Sequence, residues 1–178
     1  MALKATIYKF DVSITDLDRN YYNDHQLTVA KHPSETSERM MLRLLAFILN
    51  ASETLEFTKG LSDTDEPDLW QKDMSDVIEL WIALGQPSES RVKKGSNQSN
   101  KMAIYAYEDG FFNEFWAKQK NKISVKDNIS VVTVPSTIGQ QLVAALQRTM
   151  AIQVTIQDGT VYLTVAGESL SFSPTTHL

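Results

Sequence analysis

The stretch EPDLWQKDMSDVIELWIALG, residues 66–85, decides how the rest of the chain is read. From Val77 to Gly85 it is apolar on both faces of a strand, with Ile78, Leu80, Ile82 and Leu84 on one side and Val77, Trp81 and Ala83 on the other. Such a strand belongs in the middle of a sheet that is covered on both faces. Glu79 interrupts it, and simple alternation places this carboxylate on the side of Trp81. Just upstream, an acidic run ends in Pro67-Asp68. Either the two carboxylates serve a metal site, or Glu79 is a salt-bridged residue at a sheet edge.

Upstream, HPSETSERMMLRLLAFILNASET carries the clearest helical pattern, expected over 34–50, with Ser34 as cap and Glu35 in the first turn. At 100° per residue, Met41, Leu42, Leu45 and Leu49 fall on the side of Glu38. A carboxylate on an apolar stripe needs a cation, a metal or the edge of the core. Before this helix, KATIYKFDVSITD and YNDHQLTVAKH alternate as the two strands of an N-terminal hairpin. LEFTKGL reads as a short strand. PSESRVKKGSNQ reads as a helix capped by Ser88, and KMAIYAY as a strand. GFFNEFWAKQKNK is an amphipathic helix, NISVVTV a strand, and STIGQQLVAALQRTM a helix opened by Ser136. IQVTIQDGTVYLTV is a hairpin whose Asp158-Gly159 suits a type I′ turn. The expectation is one α/β (α+β) domain over 1–178, a mixed sheet flanked by helices, with no repeats or linkers.

At 178 residues, 42% hydrophobic and 22% charged, the chain is large enough for a sizeable core. It has no cysteine, which rules out disulfides and thiolate metal sites. His25, His32 and His177 lack zinc-ligand spacing. The opening segment has no signal-peptide core and no stretch approaches a membrane span, so the expectation is a cytoplasmic protein away from the membrane. Net charge −5 argues against a strongly basic nucleic-acid coat. A local patch of Arg91, Lys93, Lys94 and Lys101 remains. Lys118, Lys120, Lys122 and Lys126 read as a solvated face, and Phe111, Phe112, Phe115 and Trp116 as core packing. No phosphate-binding glycine loop occurs.

The segments HPSETSERMMLRLLAF, DEP and ELWIALGQPSESRVKK resemble the YaeQ family of bacterial proteins, and the resemblance runs from MALKATIYKFDV through TIQDG. It implies a restriction-endonuclease-like PD-(D/E)XK core over about 34–107: a helix, three antiparallel strands, a second helix and a further strand. It also implies roles. Glu38 matches the helix acid, Pro67-Asp68 the PD pair, and Glu79 the acid of (D/E)XK; Asp65 and Glu66 compete with Asp68. Trp81 stands where the motif lysine belongs, and Lys93 or Lys94 on the next helix is the candidate replacement.

Three carboxylates of this kind, with water and a substrate phosphate, would suit Mg²⁺ or Mn²⁺ and the hydrolysis of a phosphodiester in DNA or RNA. The competing expectation is a module that kept the fold and lost the chemistry, binding nucleic acid or a protein partner, in a setting such as transcription or repair.

Overall fold

The computed structural model describes residues 3–63 and 65–178, which form two compact units. The first comprises residues 1–41 and 137–174, the second 42–136 and 175–178. The architecture is α+β with two mixed sheets and, among the described residues, four α-helices.

In the first unit, β1 (Thr6–Asp16) and β2 (Tyr21–Lys31) form the expected hairpin, in register from Thr6↔Lys31 to Asp16↔Tyr21. β1 also pairs in parallel with β8 (Thr149–Gln157). β8 turns back through Asp158-Gly159 into β9 (Thr160–Val165), and β9 into β10 (Glu168–Phe172). The sheet order is β10-β9-β8-β1-β2. Strict alternation buries Phe10, Val12, Ile14, Ile152, Val154 and Leu163 on one face and leaves Lys9, Asp11, Gln153 and Thr164 exposed on the other. Asp158 and Gly159 both have positive φ (52° and 76°), as a type I′ turn requires. β10 follows a second turn of the same hand at Ala166-Gly167. α4 (Ser136–Ala144) begins at the expected serine but stops early, because Thr149 and Met150 belong to β8.

The second unit holds the stretch that opened the sequence reading. Its sheet runs β11-β7-β6-β5-β4-β3, with β3 (Leu55–Phe57), β4 (Leu69–Lys72), β5 (Ile78–Leu84), β6 (Ser99–Glu108), β7 (Ile129–Pro135) and β11 (Thr175–Thr176). β5, β6 and β7 are parallel, and the other neighbours are antiparallel. The parallel strands need crossovers, supplied by α2 (Glu89–Gln98) and α3 (Gly110–Ile123). Both helices cover one face: Val92 from α2 and Phe112, Phe115 and Ile123 from α3 share a core with Trp81, Met102 and Val131. The opposite face is met by α1 (Ser37–Asn50), whose Phe47 ring stacks on Phe57 of β3 at 5.4 Å. β5 is therefore covered on both sides, as its composition predicts.

Two expectations change. A single large sheet is expected, and two are found. Helix α1 starts at Ser37 rather than Ser34, because Thr36 supplies the cap: its Oγ1 accepts from the Arg39 amide at 3.1 Å. Glu35 then precedes the helix and is buried at 4% exposure, paired with Arg39.

Candidate functional site

Asp68, Glu79 and helix α2 all lie in the second unit and are placed by the β4–β5–α2 segment. β4 and β5 pair antiparallel with Leu69↔Ile82, Trp70↔Trp81 and Gln71↔Leu80, after which the register slips and Lys72 faces Ile78. Glu79 is the extra residue of a β-bulge. A bulge sets two residues of one strand against one of its partner and re-aims a side chain. Here it breaks the alternation: Ile78 packs against the core beside Trp81, on the side covered by α2 and α3. The Glu79 carboxylate goes to Gln71 instead, whose Nε2 donates to Oε2 at 2.8 Å. Gln71 Oε1 accepts in turn from the Ser52 hydroxyl at 3.1 Å, and the same hydroxyl accepts from the Leu55 amide at 3.0 Å. Glu79 thus ends a polar chain that ties the segment after α1 to the β4–β5 pair. In place of a salt-bridged glutamate at a sheet edge, the structure has a bulge glutamate hydrogen-bonded to Gln71.

Asp68 sits at the other end of β5. It is 4% exposed, its Oδ2 accepts from the Leu84 amide at 3.0 Å, and its own amide donates to the Ile82 carbonyl at 3.0 Å. Leu84 and Glu79 are five residues apart on one strand, so at about 3.3 Å per residue their backbones lie on the order of 15 Å apart. The structure thus holds Asp68 and Glu79 by different partners, the Leu84 amide and Gln71, toward opposite ends of β5.

Glu38 belongs to the first unit. It lies in the first turn of α1 and is exposed. The angular stripe misleads here because residues 40–48 are buried all round the helix, so burial follows distance along the axis.

The lysines of α2 take up other work. Trp81, at the motif lysine's place, is 3% exposed and lies under Gly95 of α2, where a Cβ would come within 2.7 Å of the indole Nε1. That contact fixes α2 to the face opposite the Gln71–Glu79 pair. Lys94 Nζ donates to Asp65 Oδ1 at 2.7 Å, and Arg91 Nη2 donates to the Glu66 carbonyl at 3.3 Å. The hydrogen bond to Lys94, and then its charge, hold the Asp65 carboxyl below the usual range. Glu66 Oε2 accepts from the Lys59 amide at 3.2 Å. The acidic turn is therefore tied to α2 through the Lys94–Asp65 ion pair and the Arg91 contact to the Glu66 carbonyl. Lys93 and Lys101 are exposed.

The donor set does not fit a Mg²⁺ or Mn²⁺ centre. Among the described residues no group of three or more His, Cys, Asp or Glu side chains has metal-holding geometry. Nor does any buried side-chain nitrogen or oxygen there lack a hydrogen-bond partner.

Two features escape a reading from spacing. At the ends of β6 and β7, Glu108 Oε1 accepts from the Thr133 and Thr175 hydroxyls at 3.1 and 2.9 Å. Thr133 is fully buried, and with its proton on Glu108 it accepts from His177 Nε2 at 2.9 Å. His177 packs at 4.9 Å from Phe112 and 5.8 Å from Trp116. Thr133 shows in the sequence only as one more strand threonine, and its partner lies 44 residues away. The second feature is a groove of about 350 Å³ lined by Pro87, Ser88, Phe111, Phe115, Lys118 and Gln119. Phe112 and Phe115 are core, as the helical spacing predicts, but Phe111 is 73% exposed on the rim.

Comparison with known proteins decides the family. A family model described as YaeQ protein matches residues 1–174. The chain belongs to the YaeQ family. It is 46% identical over 175 residues to the uncharacterized protein YaeQ of Salmonella typhi, a match that spans 98% of this chain and 97% of that one. With the uncharacterized protein YaeQ of Escherichia coli K12 it shares 45% identity over 163 residues, or 92% of this chain and 90% of the relative. The crystal structure of YaeQ from Xanthomonas axonopodis pv. citri superposes with a TM-score of 0.93 at 43% identity, covering 97% of this chain and 98% of that one. For YaeQ from Pseudomonas syringae the TM-score is 0.93 at 34% identity, with coverage of 98% and 96%. The family that the sequence resembles is thus the family of these relatives. Among the described residues no helix is long and apolar enough to cross a membrane.

Proposed function

We propose that this chain is a non-catalytic protein-binding module built on a nuclease-like core. The observation that carries the reading is Glu79. Its carboxylate is engaged by Gln71 on the face met by α1, while α2 and its lysines pack on the other face. The element order α1, β3, β4, β5, α2, β6 is the order expected of a PD-(D/E)XK core, which supports descent from that fold. A fold of this kind does not by itself confer the chemistry.

Protein is favoured over nucleic acid as the partner because two of the four cations in the expected phosphate-binding patch, Arg91 and Lys94, are already held by Glu66 and Asp65. The remaining field is that of a chain with net charge −5. The groove beside Phe111 is the surface best suited to an apolar anchor, since aromatic residues such as the exposed Phe111 are enriched at protein contact sites. Mg²⁺- or Mn²⁺-dependent cleavage of DNA or RNA is the second reading, favoured by the buried Asp68 at the position of the motif aspartate.

The test has two arms. Single-stranded, duplex and structured DNA and RNA, incubated with the protein and Mn²⁺ at high enzyme concentration, should stay uncut. A partner protein crosslinked by the wild type should be lost with Phe111→Asp and kept with Glu79→Gln. Cleavage that disappears in Glu79→Ala would overturn the reading in favour of the nuclease. A partner recovered equally by Phe111→Asp would overturn the assignment of the groove.

A further inference from the structure

We propose that the Asp158-Gly159 turn is a latent isoaspartate site and that Asp18 holds it closed. All three residues belong to the first unit, and all are exposed. An aspartate followed by glycine is the dipeptide most open to this rearrangement, because glycine has no Cβ to shield its amide nitrogen. That nitrogen attacks Cγ of the Asp158 carboxyl in its protonated form, and the N–Cγ bond forms as the amide proton and the carboxyl hydroxyl leave as water. Water then opens the five-membered succinimide. Opening at the former main-chain carbonyl routes the backbone through Cβ and yields isoaspartate, with no net change in mass.

The structure opposes the first step. Asp18 lies in the β1–β2 connection, and its carboxylate spans the β8–β9 turn. Oδ1 accepts from the Asp158 amide at 2.8 Å and Oδ2 from the Gly159 amide at 2.9 Å. The attacking nitrogen is therefore tied by the proton it must lose. The bidentate contact also fixes the peptide plane that has to rotate toward Cγ. A carboxylate next to that nitrogen further disfavours the anionic amide through which attack proceeds. The clamp is itself anchored, because Asp16, 2% exposed, accepts from the amides of Asp18 and Arg19 at 3.1 Å and from Arg19 Nε at 2.6 Å.

A second Asp-Gly step supplies an internal reference. At Asp109-Gly110 the aspartate caps α3, its Oδ1 accepting from the Phe112 amide at 2.8 Å. Here the attacked carboxylate is engaged, rather than the attacking amide, and Asp18 has no part in it.

The experiment incubates the purified full chain at neutral pH and body temperature. Isoaspartate is read at each site by peptide mapping with electron-transfer fragmentation. Asp18→Ala should raise the rate at Asp158 about tenfold, the factor carried by charge-assisted hydrogen bonds to the reacting amide, and leave Asp109 unchanged. Asp18→Asn keeps the shape and one acceptor oxygen, and should fall between wild type and Asp18→Ala. Equal rates at Asp158 in wild type and both variants would overturn the proposal. So would acceleration at Asp158 and Asp109 together in both variants, since that reports loosening of the fold rather than release of a local clamp.

Discussion

Replacing Gly95 by alanine tests the placement of Trp81 in a single step. In an exposed helix this change is favourable by about 1 kcal/mol, because alanine is the better helix former. At Gly95 the new methyl would lie 2.7 Å from Trp81 Nε1, 2.9 Å from Trp81 Cδ1 and 2.9 Å from Met102 Sδ. Trp81 and Met102 are 3% and 1% exposed, so neither can swing into solvent. Overpacking of this kind costs about 1–3 kcal/mol, and three sub-van-der-Waals contacts put the cost at the upper end. The expected net effect is a loss of about 1–2 kcal/mol. With a urea m-value of about 2 kcal/mol/M, the unfolding midpoint should fall by about 0.5–1 M at unchanged slope. Trp81→Ala removes the whole ring that the methyl strikes and leaves only the Met102 Sδ contact at 2.9 Å. In that background Gly95→Ala should become close to neutral, giving a coupling of about 1–2 kcal/mol in the double-mutant cycle. Gly95→Ala as stable as wild type, or a coupling near zero, would refute the packing of α2 over Trp81. The placement of Glu79 on the face away from α2 would fall with it.

Three further outcomes follow from the same geometry. Asp68→Ala leaves the buried Leu84 amide without its acceptor and should cost about 2–3 kcal/mol by equilibrium urea unfolding. Thr133→Val keeps the shape but removes the hydroxyl between Glu108 and His177. It should lower stability by about 1–2 kcal/mol and speed hydrogen exchange at the His177 amide, which donates to the Val131 carbonyl at 2.8 Å. Lys94→Met should raise the Asp65 pKa toward its ordinary value, read by carboxyl-carbon NMR titration, because Lys94 supplies both the hydrogen bond and the charge that lower it. The sign is fixed by that lowering. The contribution of Asp65 to stability is complete above the ordinary aspartate range and is lost as pH falls through the depressed folded-state pKa, so the variant should show a weaker stability loss in that acid window.

Much of the fold is legible because local rules and tertiary structure agree. Ser88 caps α2, with its Oγ accepting from the Arg91 amide at 3.3 Å, and Asp158-Gly159 turns a hairpin as the dipeptide suggests. β10 is missed because its turn places Ala166 at φ 52°, a conformation with no compositional flag. The candidate site is less legible. Glu79 is identified as an oddity, but its direction depends on a register slip between β4 and β5, which no residue of β5 announces alone. Glu38 fails for a different reason: an angular wheel carries no information about how far along its axis a helix is buried. The residue that is buried near that end, Glu35, lies just outside the helix once Thr36 takes the cap. The Glu108–Thr133–His177 array joins strands and tail across 25 and 44 residues, beyond any local pattern.

The most direct test of the central claim is the melting temperature of wild type and Glu79→Gln, each measured in chelator and in millimolar Mn²⁺. Binding to the folded state alone raises stability by mass action, so a real centre cannot hide from this comparison. With the Glu79 carboxylate held by Gln71 and that of Asp68 by the Leu84 amide, the wild type should melt at the same temperature with and without the ion, and Glu79→Gln should behave likewise. A rise with Mn²⁺ in the wild type that vanishes in Glu79→Gln would contradict the account and make Glu79 a metal ligand.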